Sequence, residues 1–174
     1  MTPLYAYDFD KTLVPYDSFR RYLMHLLRLR PVRAGELLVL RELRLISAAS
    51  LKARITRMVN HSEALQRDAK HFANRVIYDV QLPVAAPKDA KILLISASPS
   101  IYMQHIASSM ACSLLCSDFV EGNNYVEMYG EKKLETLHMH FPVSEYDYVF
   151  AASDSESDLC WMKEFKQYDI VKRQ

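Results

Sequence analysis

The stretch YAYDFDKTL, residues 5–13, constrains this chain most, because an apolar run ends there in two aspartates one residue apart, followed by a threonine. Leu4, Tyr5, Ala6 and Tyr7 read as a short covered strand, since aromatic and aliphatic neighbours in a brief run suit a pleated, buried position. Asp8 and Asp10 then fall just past the strand's carboxyl end, where open α/β sheets keep their ligand crevice. Alternation sends both carboxylates to one side and Phe9 to the other. Two carboxylates held together raise each other's pKa unless a cation lies between them or they share a proton. The pair therefore points to a divalent metal, to acid–base chemistry, or to both.

The chain has 174 residues, half of them hydrophobic and a quarter charged, enough for one sizeable core with a small appended unit. Net charge is only +1, but residues 19–75 hold 13 Lys/Arg against 4 Asp/Glu, so the basic charge is concentrated in one part. Cys112, Cys116 and Cys160 lack a CxxC spacing, which argues against a disulfide framework or zinc site and for a reduced, cytoplasmic setting. The first strand begins so near Met1 that no signal peptide is expected ahead of it. No run reaches the roughly 20 apolar residues of a membrane span, and the most apolar one, 37–46, is broken by Arg41, Glu42 and Arg44.

After the first strand, Asp17 or Ser18 reads as the N-cap of a helix over 19–30, which Pro31 stops. Residues 35–46 and 51–78 also read as helices, so that 15–86 form an all-helical insert. Strands follow at 91–95, 113–116, 146–151 and 168–171, with helices at 100–110, 131–141 and 157–165, and with a turn at 121–124 between short extended pieces. This alternation predicts a parallel sheet with right-handed crossovers, interrupted by the insert directly after strand 1.

More polar residues fall at strand ends. Ser96 closes KILLIS beside a helix start, a good position for a phosphoryl oxygen. Lys132 or Lys133 opens a helix, where an ammonium can neutralise a second oxygen. Asp154 and Asp158 follow the strand YDYVFAAS as DSESD, and such hard oxygen donors suit Mg²⁺. All six histidines and the cysteines read as structural.

Taken in order, DFDKTL, ILLIS, EKKL and DSESD resemble the four motifs of the haloacid dehalogenase (HAD) superfamily of phosphatases, and the insert resembles the helical C1 cap of its phosphoserine phosphatase-like branch. The resemblance implies an α/β Rossmann-like core, residues 1–14 and 87–174, with sheet order 3-2-1-4-5, and a cap at 15–86. It implies a Mg²⁺-dependent phosphomonoester hydrolase acting on a small phosphorylated metabolite, with no nucleic acid partner. Asp8 would be the nucleophile and Asp10 the general acid and base. Thr12, Ser96 and Lys133 would serve the phosphoryl group, with Thr12 bracing the loop. The Asp8 carboxylate, the Asp10 carbonyl and Asp154 would hold Mg²⁺, and Asp158 would complete or support that shell. Ser153 stands where many relatives have glycine, and residues 117–130 are shorter than usual.

Substrate choice is open at this level. Asp17 either holds a substrate amine or caps a helix. The basic insert is a solvated surface, an attractor of anionic substrates, or a face that rests on a membrane and admits a lipid phosphate. A phosphotransferase, or a non-catalytic protein that docks through the basic insert, are the alternatives to a hydrolase.

Overall fold

The computed structural model describes residues 1–172. Six strands, β1 (Thr2–Tyr7), β2 (Lys91–Pro99), β3 (Ser113–Val120), β4 (Asn124–Val126), β5 (Tyr146–Ser153) and β6 (Gln167–Ile170), form one sheet in the order β4-β3-β2-β1-β5-β6. All neighbours pair in parallel except β3 and β4, which form an antiparallel hairpin at the edge. The five parallel strands, counted without β4, therefore lie in the expected order 3-2-1-4-5; β4 is the short extended piece beyond the turn, and it adds a sixth strand.

Side-chain alternation divides the core in two. Leu4, Ala6, Leu93 and Ile95 point to one face, where they pack with Leu137 and Phe141 of α6 (Glu131–His140) and its C-cap and with Trp161 of α7 (Leu159–Met162). Tyr7 and Leu94 point to the other, against Ile101, Tyr102 and Ile106 of α5 (Ser100–Ser109). The insert joins this second face. Its helices α1 (Ser18–Leu29), α2 (Pro31–Glu42), α3 (Ala48–Asn60) and α4 (Glu63–Val76) contribute Tyr22, Leu26, Ile55 and Phe72 to the same continuous cluster as Tyr102. Tyr22 and Phe72 each lie within 5.3 Å of the Tyr102 ring, centroid to centroid, which fastens α1 and α4 to α5.

Four expected helix bounds change, the first three for a local reason. Pro31 opens α2 rather than merely stopping α1, because its fixed φ suits a first helical turn. That helix ends at Glu42 instead of residue 46: Arg44 takes φ 57° and the Leu45 amide returns to the Leu40 carbonyl at 2.9 Å, a Schellman closure. The single helix expected over 51–78 is two. Ser62 accepts a hydrogen bond from the Leu65 amide and starts α4, while Ser47 accepts one from the Ser50 amide and starts α3 at Ala48. The helix expected over 157–165 shrinks to a 3-10 turn, Glu156–Asp158, and the four residues of α7.

Candidate active site

The carboxyl end of β1 is tied down before it presents any chemistry. The Asp8 amide donates to the Ala152 carbonyl of β5 at 2.9 Å, fixing Asp8 between two strand ends. Phe9 is fully buried, and its carbonyl accepts from the amides of Thr12, Leu13 and Val14. Lys11 closes this tight loop in the left-handed region, φ 58°. Asp8 and Asp10 consequently line one cleft of about 220 Å³, shared with Lys11, Asp17, Ser96, Lys133, Asp154 and Asp158. All seven carboxylate, hydroxyl and ammonium candidates other than Thr12 meet in that cleft, and Thr12 lies directly beneath it.

Lys133 stands at the centre. Gly130, at φ 55° and ψ −131°, makes the turn that only glycine adopts easily, so that α6 begins with its third residue aimed into the cleft. The Lys133 ammonium donates to Asp8 Oδ1 at 2.8 Å and to Asp158 Oδ2 at 2.7 Å, and it is almost wholly buried. Lys132, its rival in the sequence, is exposed and pairs with Glu135 at 2.9 Å. Burial drives the Asp8 carboxyl up to about 7, against the opposing pull of Lys133. The two carboxylates in turn raise the pKa of Lys133 in spite of its burial, so the lysine stays charged.

Asp158 is committed to this lysine. Besides Lys133 it accepts from the Ser153 hydroxyl at 2.6 Å, and Ser153 also receives the Ser155 amide at 3.2 Å. Ser153 thus anchors the loop that carries Asp154. Thr12 links the two loops: its hydroxyl oxygen accepts from the Asp154 amide at 2.8 Å and lies 3.4 Å from Asp8 Oδ2.

Asp10 has a different surrounding. Its Oδ1 accepts from the Ser18 amide at 2.6 Å and its Oδ2 from the Ser98 hydroxyl at 2.5 Å. Burial still raises its pKa, though these donors pull it down. Ser18 and Ser98 belong to a buried hydroxyl group completed by Tyr102, whose oxygen lies 3.0 Å from Ser18 Oγ. Ser96 is buried, and its hydroxyl accepts from the Ser98 amide at 3.1 Å. Asp17 caps α1, accepting from the Arg20 amide at 2.8 Å, and it also lines the cleft.

Sequence reasoning missed Ser98, Tyr102, Ser153 and Lys52 as parts of this site. Lys52, on α3, donates to the Ala97 carbonyl at 2.9 Å and pairs with Glu127 at 2.6 Å, fastening the insert to the carboxyl end of β2. Ser98 had a local signal as the second serine of SAS, and Ser153 as the serine directly before Asp154.

The donors fit a hard dication. Asp8, Asp10 and Asp154 are all pushed toward protonation, chiefly by burial, and a dication among them would reverse that shift. Among the described residues no three His, Cys, Asp or Glu side chains converge on one point. The Asp8 and Asp154 carboxylates with the Asp10 carbonyl need no third side chain, since Mg²⁺ ordinarily takes one or two carboxylates and keeps waters or substrate oxygens.

Residues 6–163 match the sequence model of the haloacid dehalogenase-like hydrolases. No curated protein matches the chain. Among solved structures it resembles a protein of unknown function from Bordetella pertussis Tohama I at 14% identity and a TM-score of 0.63, covering 98% of this chain and all of the other. It also resembles a HAD family hydrolase from Salmonella enterica serovar Typhi at 16% identity and a TM-score of 0.55, covering 94% of this chain and 60% of that one. At such identities the likeness speaks for the fold.

Proposed function

The chain belongs to the haloacid dehalogenase-like hydrolases, and from that premise we propose that it is a Mg²⁺-dependent phosphomonoester hydrolase that works through an aspartyl phosphate on Asp8. The observation that carries this reading is the Asp8–Lys133–Asp158 chain, a buried carboxylate held at 2.8 Å by a lysine that a second carboxylate keeps charged and in place.

Asp8 attacks phosphorus in line with the leaving alcohol, forming its oxygen–phosphorus bond as the ester bond breaks. Lys133 meets the charge on the transferring group, and the Ser96 hydroxyl and the start of α5 provide further polar contacts. Asp10, its pKa raised by burial, gives a proton to the departing oxygen. It then takes one from the water that cleaves the aspartyl phosphate, which returns both aspartates to their starting states. The Ser98 hydroxyl serves Asp10 in both conditions, because a hydroxyl accepts as readily as it donates. Mg²⁺, held by the Asp8 and Asp154 carboxylates and the Asp10 carbonyl, would offset the charge between Asp8 and the anionic substrate. Asp158 acts here as the partner of Lys133 and Ser153 and, through them, would support a bound metal.

The substrate class we propose is a small phosphorylated metabolite. Asp17 and Lys11 line both the cleft and an adjoining groove with Arg20, Arg21, Arg28 and Arg75, so a leaving group with its own polar or anionic end has partners there. Hydrolysis of an aryl phosphate with and without Mg²⁺, by the wild type and Asp8→Asn, tests the reading, followed by a panel of amino-acid, sugar, nucleotide and lipid phosphates. Turnover by the wild type with metal alone supports it. Inertness toward the whole panel, or undiminished turnover by the variant, contradicts it.

A further inference from the structure

The insert carries a second group of basic side chains that shares no residue with the Asp8 cleft. Arg30 and Arg33, at the corner between α1 and α2, and Arg54 and Arg57, on α3, line a hollow of about 630 Å³ with Met58 and Leu65 in its wall. No carboxylate lines it, and none of the four arginines joins an ion pair among the described residues. Four guanidinium groups gathered without counter-charge have the chemistry of a phosphate receptor, with the Arg57 group also resting 5.1 Å from the centre of the Phe119 ring.

Beside that hollow runs an apolar stripe open to solvent. Of the four insert helices, α2 is the least covered: only Ala34 is fully buried. Val32, Val39 and Leu43 are 81%, 57% and 63% exposed, and their spacing of seven and four residues sets them on one face, which they share with the exposed Glu36. Six of the fourteen exposed large hydrophobic side chains lie between residues 24 and 45. Val32 stands between Arg30 and Arg33 in the sequence, so the stripe begins near the hollow, and Arg44 follows Leu43 at its other end. Over residues 28–57 there are eight Lys/Arg against two Asp/Glu.

We propose that this face of the insert docks on a bilayer containing anionic phospholipids, with the stripe entering the headgroup–acyl boundary and the arginine hollow receiving lipid phosphates. A soluble anion would use the arginines and leave the stripe in water. A nucleic acid would likewise have no use for a row of aliphatic side chains. Aliphatic residues bounded by arginines match an interface whose two layers are apolar and negatively charged. Docking is a separate property from catalysis, and its readout does not depend on turnover.

Sedimentation of the full chain with phosphatidylglycerol–phosphatidylcholine vesicles, against pure phosphatidylcholine, tests this. The wild type and Asp8→Asn are expected to partition equally onto the anionic vesicles and weakly onto the neutral ones. Two variants, Val32→Ser with Val39→Ser and Arg30→Gln with Arg33→Gln, are each expected to lose at least ~10-fold in partition while melting like the wild type, because these side chains are exposed. Failure to bind anionic vesicles overturns the proposal. So does binding that the serine variant retains and inorganic phosphate abolishes, which would make the hollow a soluble-anion site. Dimerisation that the serine substitutions abolish, seen by light scattering, would assign the face to a second copy and overturn it as well.

Discussion

Asp8 is held where burial disfavours its charged form. Its carboxyl is raised by burial to about 7, well above the ordinary carboxylate value of about 3.9. A raised folded-state value means that this group's contribution to stability is fully present below the unfolded pKa and is lost as the pH climbs through about 7. Asp8→Asn lacks that loss. In chelator, the variant should therefore melt higher than the wild type at pH 8, with the difference shrinking toward pH 5, at roughly 2–4 °C per kcal/mol. A thermal scan at the two pH values checks this, and equal differences at both would refute it. Lys133→Met should behave in the opposite way. It leaves Asp8 and Asp158 facing each other in the interior without their cation, at a cost of about 3–5 kcal/mol, and should lower turnover by at least ~10²-fold where the protein still folds. Denaturant titration and kinetics at one pH separate the two effects. The thiols offer an independent check of burial: Cys112 is raised to about 11 and Cys116 to about 12, chiefly by burial, so alkylation of the native protein near pH 8 should leave both largely unlabelled.

At the level of elements, caps decide where the insert's helices break, and those breaks position Lys52 and the arginines. Ser47 and Ser62 each accept an amide of the first helical turn, and Ser47→Ala or Ser62→Ala should cost about 1 kcal/mol, read as a drop in melting temperature of about 2–4 °C. A larger fall at position 47 than at 62 is expected from the shorter bond, 3.0 against 3.4 Å. The sequence already carried these caps, but a run of helix-forming residues on both sides of His61 concealed the break between α3 and α4. The Schellman closure at Arg44 was hidden for a different reason: the left-handed position holds arginine where glycine is the usual indicator. By contrast, the apolar centres of β1 and β2, residues 4–7 and 91–95, were legible because strands covered on both faces read as continuous apolar runs, while the starts and ends of the strands, Thr2 and Pro99, lie beyond those runs.

Across the whole molecule, what is local in sequence was legible and what is brought together by folding was not. Asp8, Asp10 and Thr12 lie within one loop, and their common side follows from strand alternation. Ser98 reaches Asp10 across 88 positions and Lys133 reaches Asp8 across 125, contacts set by which strand ends the sheet order places side by side. Lys133 could be sensed as one of two lysines; only the turn at Gly130 distinguishes it from Lys132. Ser153 appeared as a departure from a motif until its hydroxyl was found between Asp158 and the Ser155 amide. The sheet order has a functional consequence too: β1 is central, flanked by β2 and β5, so the loops after all three strands converge on Asp8. On the proposed mechanism the phosphoryl group passes through Asp8, and this can be trapped by mixing the enzyme with Mg²⁺ and an aryl phosphate, quenching in acid during turnover, reducing with borohydride, and mapping the peptide that contains residue 8. Conversion of Asp8 to homoserine, absent without substrate, is the predicted result, and turnover with Asp8 unmodified at every quench time would contradict it.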